Sequence, residues 1–309
     1  MTRVLVTPRS LTAAAPAFPV ELQPLFDAGF EVVFGPAGRV PNEAELLELV
    51  DGVDGWLAGV ERIGAPVLAA ASNLKLISRN GVGADNIDAA EAELLGVEIV
   101  LARGSNSRGV AELAFTLGLS CLRAVPEANS AMHAGRWQRR LGRELHDCTV
   151  GIVGFGAIGG LVAGFATVFG ATVVAFDPYA EVTAESGVKQ VELDELFSLS
   201  DVVSLHSPPS GQPIVTAGRL ATLPSGAVLV NTARSALVDS DAVLAALTSG
   251  QLSWYAVDAF DVEPPEPSPL LAHPHTIMTP HLGGYTAASV RRATQQAVSV
   301  IVDRLSRST

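Results

Sequence analysis

The chain has only two cysteines in 309 residues, Cys121 and Cys148. Both stand among apolar neighbours, with no Cys-x-x-Cys spacing and no histidine cluster beside them. Neither a disulfide framework nor a thiolate metal site is expected, and no metal is expected elsewhere. Aromatic residues make up 6% and charged residues 17%, against a hydrophobic share of 48%. With so little charge and so much apolar material, part of the surface is expected to lie in an oligomer interface. Basic residues are outnumbered: 20 Lys and Arg against 32 Asp and Glu give a net charge of −12. That balance excludes nucleic acid and anionic membranes as main partners, because both call for basic patches. It leaves a small anionic substrate open, since one arginine can bind such a group locally. No uninterrupted apolar run reaches the roughly 18 residues of a membrane span. The opening MTRVLVTPRS enters a strand-like run directly and has no apolar signal core. The expected location is the cytoplasm.

What the chain does have is alternation. Short β-branched runs read as strands at Val4–Thr7, Glu31–Phe34, Gly55–Ala58, Leu74–Ser78 and Glu98–Leu101. Between them Val20–Ala28, Asn42–Val50, Pro66–Ala71 and Ala89–Leu95 read as helices. Asn42 is a plausible N-cap. Near Arg103 the pattern changes. Val110–Arg123 reads as a long apolar helix and Glu127–His133 as an amphipathic one. A second series follows, with strands at Thr149–Val153, Thr172–Asp177, Val202–His206, Ala227–Asn231, Ser253–Asp258 and Thr276–Met278, and helices at Ala157–Phe169 and Glu192–Leu199. Glu263–Pro269 carries four prolines and must be irregular. Ala287–Leu305 is a final amphipathic helix, long enough to return to the first series. The expected fold is α/β, with two Rossmann-like doubly wound parallel-sheet domains separated by a cleft. One, flavodoxin-like, spans 1–102 with 285–309. The other spans 103–284. Hinges are expected near Arg103 and Gly284, with closure of the cleft on a ligand.

Val150–Gly159 reads VGIVGFGAIG. A strand leads into Gly154, Gly156 and Gly159 at G-x-G-x-x-G spacing, with Ala157 and Ile158 opening a helix. The first glycine permits the tight turn, the second lets the backbone approach a pyrophosphate, and the third allows close helix–strand packing. The motif alone is weak in a chain with 29 glycines. Here a second strand ends in an acid, Asp177, 18 residues after Gly159. A carboxylate at that place accepts ribose hydroxyls and repels a 2′-phosphate, so the expected cofactor is NAD rather than NADP. A tight turn that binds nothing is the competing reading.

Three later strand ends carry polar residues. VLVNTAR places Arg234 after an apolar strand; WYAVDAFDVEP places Asp258, Asp261 and Glu263 before the proline-rich loop; TIMTPHLGG places His281 after a strand and a proline. Taken singly, each has an ordinary reading: a surface salt bridge, a solvated acidic loop, a structural histidine.

Taken in order, R…D…E-P…P-H-L-G-G resembles the D-isomer-specific 2-hydroxyacid dehydrogenase family, which includes D-3-phosphoglycerate dehydrogenases. Asn80–Asp88 (NGVGADNID) resembles the family's substrate loop, and Ser105–Glu112 (SNSRGVAE) the head of its crossing helix. Val125–Trp137 (VPEANSAMHAGRW) resembles phosphoglycerate dehydrogenases in particular. The resemblance covers nearly the whole chain, and the C-terminal regulatory domain that some members carry is not expected. It implies a hydride transfer between NAD(H) and a D-2-hydroxy acid/2-keto acid pair. His281 would be the acid/base, Glu263 would orient it and raise its pKa, and Arg234 would bind the substrate carboxylate and polarise the carbonyl. Asn80, Val82 and Gly83 would complete the carboxylate cradle. His206 and Pro208 would lie by the adenine and its ribose, Thr232 and Ala233 by the nicotinamide ribose, and Asp258 and Gly284 by the nicotinamide. The family also implies a homodimer formed through the nucleotide domain.

The resemblance frays on two sides. After Pro208 the family's Leu-Thr gives way to PSGQPIVT. Where phosphoglycerate dehydrogenases often place a phosphate-binding arginine, at about Ala58, this chain reads LAGVER. Arg62 and Arg79 are candidates to replace it, and so are Arg9 and Ser10 after the first strand. The best guess is a phosphoglycerate dehydrogenase-like enzyme. A glyoxylate/hydroxypyruvate reductase or another 2-keto acid reductase is the alternative within the family. An NAD-sensing corepressor-like binding protein is the alternative from another class.

Overall fold

A computed structural model describes residues 1–13, 19–180, 182 and 187–306. The chain divides into two compact units, Met1–Asn106 with Thr286–Thr309, and Ser107–Tyr285.

The first unit is built on five strands: β1 (Arg3–Val6), β2 (Glu31–Phe34), β3 (Gly55–Ala58), β4 (Leu76–Arg79) and β5 (Glu98–Leu101). All pairings are parallel, in the order β2-β1-β3-β4-β5. That is the flavodoxin-type order, whose direction reverses between β1 and β3. Alternate residues serve opposite faces. Leu5, Trp56 and Ile77 join one core with Leu46 and Leu68, from helices α3 (Glu43–Leu49) and α4 (Ala65–Ala70). Val4, Val6, Leu57 and Leu76 join the other. The second face is covered by α2 (Gln23–Asp27) and by the last helix, α12 (Ala287–Leu305), through Leu25, Ile301 and Leu305. A Cβ at Gly55 would meet Leu305 Cδ1 at 2.6 Å, so α12 seats against the sheet where the side chain is missing. Each fully buried Val or Leu contributes about 1.5–3 kcal/mol over its exposed state.

The second unit holds seven strands: β6 (Thr149–Val153), β7 (Thr172–Phe176), β8 (Lys189–Gln190), β9 (Val202–Leu205), β10 (Ala227–Asn231), β11 (Leu252–Val257) and β12 (Thr276–Met278). They pair in parallel in the order β12-β11-β10-β9-β6-β7-β8. This is the Rossmann order with one further edge strand, and its switch point lies between β6 and β9. One face packs α6 (Ser107–Leu122) and α8 (Ala157–Val168) against Val150, Ile152, Val228 and Val230. Phe115 of α6 meets Phe165 and Phe169 edge-on, at ring separations of 5.7 and 5.0 Å. The other face packs α9 (Leu193–Leu199), α10 (Ala217–Thr222) and α11 (Ser240–Ser249) against Val153, Val203, Leu205 and Leu229.

Several local expectations change. The helix expected over Val20–Ala28 is a 3₁₀ turn at Val20–Leu22 followed by α2, with Pro24 in the first turn, where a missing N–H costs nothing. Arg9–Thr12, which no expected element covered, is a short helix, α1. The crossing helix begins at Ser107 rather than Val110 and breaks at Ala124, whose backbone is left-handed (φ 49°), before α7 (Val125–His133). Among the described residues no single helix is long and apolar enough to cross a membrane. α6 and α7 reach that composition only together, and they are bent by 66°.

Candidate active site

The glycine-rich turn follows β6. Gly154 has φ 92°, and a Cβ there would lie 2.8 Å from the His206–Ser207 peptide. A Cβ on Gly159 would lie 2.0 Å from Gly154 O. The fold itself therefore demands these two glycines. Gly156 differs: a Cβ there would meet no described atom within 4 Å. It is exposed and caps α8 with no side chain of its own, and the N–H groups of Ala157 and Ile158 open that helix. An anion can approach this backbone, and the helix dipole favours one. Asp177, just past β7, accepts the Phe155 N–H at 2.7 Å and those of Tyr179 and Ala180 at 2.8 and 3.0 Å. It thereby fixes the glycine turn, and about one of its roughly four lone-pair positions stays open.

Three polar atoms at the neighbouring strand ends are buried with no hydrogen-bond partner among the described residues: His206 Nδ1, Ser207 Oγ and Thr232 Oγ1. Orphaned groups of this kind call for a ligand or water. His206 Nε2 lies 2.8 Å from Ser204 Oγ, and burial pushes the ring's pKa down to about 3, so the imidazole is neutral. Ser207 carried no sequence signal. An open glycine backbone, an acid at the second strand and polar atoms without partners together fit a dinucleotide. Pro208 is exposed beside this edge and Ala233 is half-buried.

β10 ends in Asn231, which is fully buried. Its side chain accepts from Ala233 N at 3.1 Å and donates to Arg234 O at 2.8 Å, which shapes the turn that carries Arg234. The sequence singled out Arg234 but not Asn231, although a polar residue closing an all-apolar strand was a usable signal. Arg234 is half-buried and donates Nη1 to Ala233 O at 2.8 Å.

β11 leads to Asp258, 1% exposed. Its carboxylate accepts the Thr279 hydroxyl at 2.5 Å and the N–H groups of Leu282 and Gly283 at 2.8 Å each. The loop after β12 is thus folded around a buried anion. A Cβ on Gly283 would lie 3.0 Å from Asp258 Oδ2, and half-buried Gly284 follows. Held in this loop, His281 has φ 52°, uncommon for a residue with a side chain and worth a functional explanation. Its Nδ1 lies 2.6 Å from Glu263 Oε1, which also accepts the Phe260 N–H at 3.4 Å. Asp261 instead accepts a hydrogen bond from Ser235 Oγ. With Nδ1–H donated to a carboxylate, Nε2 is the atom left to exchange a proton.

The matching family profile is that of the D-isomer specific 2-hydroxyacid dehydrogenase, NAD binding domain, over residues 115–283. The chain belongs to the D-isomer-specific 2-hydroxyacid dehydrogenase family. Its members are NAD-dependent oxidoreductases acting on a CH–OH group. Hydroxypyruvate reductase of Thermotoga maritima is 35% identical over 269 residues, 84% of this chain and 88% of that protein. D-3-phosphoglycerate dehydrogenase of Mycobacterium tuberculosis H37Rv is 39% identical over 260 residues, 82% of this chain and 49% of that protein. The dehydrogenase chain described here therefore spans about half the length of that relative. A solved D-lactate dehydrogenase of Treponema pallidum superposes with a TM-score of 0.85 at 27% identity, covering 99% of this chain and 97% of the other. Within this family member, Arg234, Glu263 and His281 all belong to the second unit. Asn80, Val82 and Gly83 belong to the first, on the turn after β4. There Asn80 N donates to Ala58 O at 2.9 Å and Asn80 Oδ1 accepts the Thr294 hydroxyl at 3.3 Å.

Proposed function

We propose that the chain interconverts a small 2-keto acid and its D-2-hydroxy acid, with His281 as the acid/base. The observation that carries this reading is the 2.6 Å contact of His281 Nδ1 with Glu263 on a loop held by buried Asp258. In the reducing direction Nε2 of His281 delivers a proton to the carbonyl oxygen; in the oxidising direction it takes one from the hydroxyl. Glu263 is a positioning residue that holds the ring and stabilises the imidazolium. Arg234 binds the substrate carboxylate and polarises the carbonyl as charge develops on its oxygen. Asn80, Val82 and Gly83 are assigned to the same carboxylate, which makes the first unit the substrate-binding domain.

NAD supplies the hydride acceptor or donor when bound. Gly154, Gly156, Ala157, Ile158 and Gly159 would hold its pyrophosphate and Asp177 a ribose. His206 and Pro208 would flank the adenine side, and Thr232 and Ala233 the nicotinamide ribose. Asp258 and Gly284 would border the nicotinamide, with Asp258 sharing its carboxylate between the loop and the carboxamide.

A homodimer through the second unit fits the apolar side chains that Val125, Met132, Trp137 and Leu141 expose around α7. A cytoplasmic location fits the two free, buried cysteines, Cys121 and Cys148.

The deciding experiment is a panel of 2-keto acids with NADH and, separately, NADPH, followed by loss of reduced cofactor. NADH-dependent turnover that vanishes in His281→Ala supports the reading. Tight NADH binding without turnover of any acid would shift it to an NAD-sensing binding protein.

A further inference from the structure

In a doubly wound sheet the ligand lies beyond the carboxyl ends of the strands, at the point where the strand order reverses. In the first unit that point lies between β1 and β3, marked by Thr7 and Gly59. A charged side chain is buried there. Glu61 is 1% exposed. Its Oε1 accepts the Gly59 N–H at 2.8 Å and the Thr7 hydroxyl, and that hydroxyl in turn accepts the Trp56 indole N–H at 2.8 Å. Oε2 is buried and has no hydrogen-bond partner among the described residues. Holding this turn requires one acceptor oxygen and no charge, which a neutral amide would supply. A buried carboxylate with an unpartnered oxygen is costly, so the charge itself calls for an explanation.

The charge sits beside the turn assigned to the substrate. Asn86 Nδ2 donates to Glu61 O, Ile63 N donates to Asn86 O at 2.8 Å, and Asn80 N donates to Ala58 O at 2.9 Å. These bonds join the Glu61 loop to both ends of the Asn80–Asp88 turn. Arg79 ends β4, donates Nη1 to Asn80 O at 2.9 Å, and buries an Nε with no partner among the described residues. Desolvation lowers its pKa, and Glu61 and Asp85 are the charges that oppose that effect. The guanidinium on this turn thus faces two carboxylate charges, those of Glu61 and Asp85. Nor can position 59 supply a side chain to compensate, because a Cβ there would lie 2.7 Å from Glu61 Oε2 and 3.0 Å from Pro8 Cα.

We propose that Glu61 is a specificity-determining residue that restricts the substrate to 2-keto acids whose side group carries no phosphate. The inference rests on the functional reading above, in which the Asn80–Gly83 turn takes the substrate carboxylate. A fixed, buried negative charge is poorly screened by salt and opposes a second anionic group on the substrate; a neutral hydroxyl or alkyl group meets no such penalty.

The test compares hydroxypyruvate with its 3-phosphate ester, using NADH, on the wild type and on Glu61→Gln. The variant keeps the acceptor for Thr7 and Gly59 and removes the charge. The wild type is expected to favour the unphosphorylated acid by about tenfold or more in kcat/KM, as like-charge juxtaposition predicts. That preference should persist when salt is raised, and E61Q should shrink it at least about fivefold through a lower KM for the phosphate ester. Equal or better use of the phosphate ester by the wild type overturns the inference, and needs no variant to do so. A folded E61Q with an unchanged ratio also overturns it. Turnover of no 2-keto acid at all would bring down the functional reading and this inference together, whereas a preference for the phosphate ester brings down this inference alone.

Discussion

His281 Nδ1 and Glu263 Oε1 lie 2.6 Å apart, although 18 residues separate them and the His281 backbone is left-handed (φ 52°). A non-glycine residue in that region is held there by its surroundings, here by the three hydrogen bonds that Asp258 accepts from the same loop.

Replacing either partner should separate chemistry from binding. His281→Ala is expected to lower kcat by roughly 10²–10⁴-fold while NADH affinity, read by fluorescence titration, stays within about twofold. Glu263→Gln keeps a hydrogen-bond acceptor but loses the charge, so kcat should fall less and its pH profile should move. An unchanged pH profile in E263Q would argue that Glu263 does not act through the histidine.

Arg234→Lys should show that a point charge cannot replace a planar fork. We expect kcat/KM for the keto acid to drop about 100-fold, near 3 kcal/mol, with NADH affinity preserved. Loss of NADH binding instead would place Arg234 in the cofactor site. Steady-state kinetics alongside a cofactor titration distinguishes the two.

The three glycines of the turn should fail differently. Gly159→Ala places a methyl 2.0 Å from Gly154 O, so the variant should melt well below the wild type or not fold. Gly156→Ala meets no described atom within 4 Å, so its melting temperature should hold while NADH affinity falls about tenfold or more. Equal NADH affinity in G156A and wild type would mean that no ligand approaches there.

His206 makes a pH prediction whose sign follows from its burial. Its pKa in the folded state is about 3, against an ordinary 6.5, so between those values the unfolded chain binds a proton that the folded chain refuses. Stability from this group is present above about pH 6.5 and is lost as pH falls towards 3. Between pH 7 and 5 the urea-unfolding free energy should drop by up to about 2 kcal/mol from this residue. His206→Gln should lose less stability over the same interval; an identical pH slope would refute the assignment.

Much of the fold was legible because parallel strands covered on both faces read as unbroken β-branched runs. Val202–Leu205 and Ala227–Asn231 stood out for that reason, and α12 was delimited correctly by its apolar stripe. The two-residue edge strand β8 is exposed and too short to carry a period. The helices α10 and α11 went unread, although Thr216 and Asp239 cap them.

The sequence by itself determined the class of fold, the glycine turn, and the presence of an arginine, an acid and a histidine after successive strands. These are local signals: a period of two or 3.6 residues, a turn that only glycine permits, an ordered motif. It could not determine from the residues alone which acid meets the histidine. The tertiary structure assigns Asp261 to Ser235 and Glu263 to His281, and turns Asp258 inward to hold the loop. Nor could it distinguish the buried carboxylate of Glu61 from a solvated loop acid, because its partner Thr7 lies 54 residues away. Pairings between distant residues are set by how sheets and helices pack, and no local pattern in the chain encodes them.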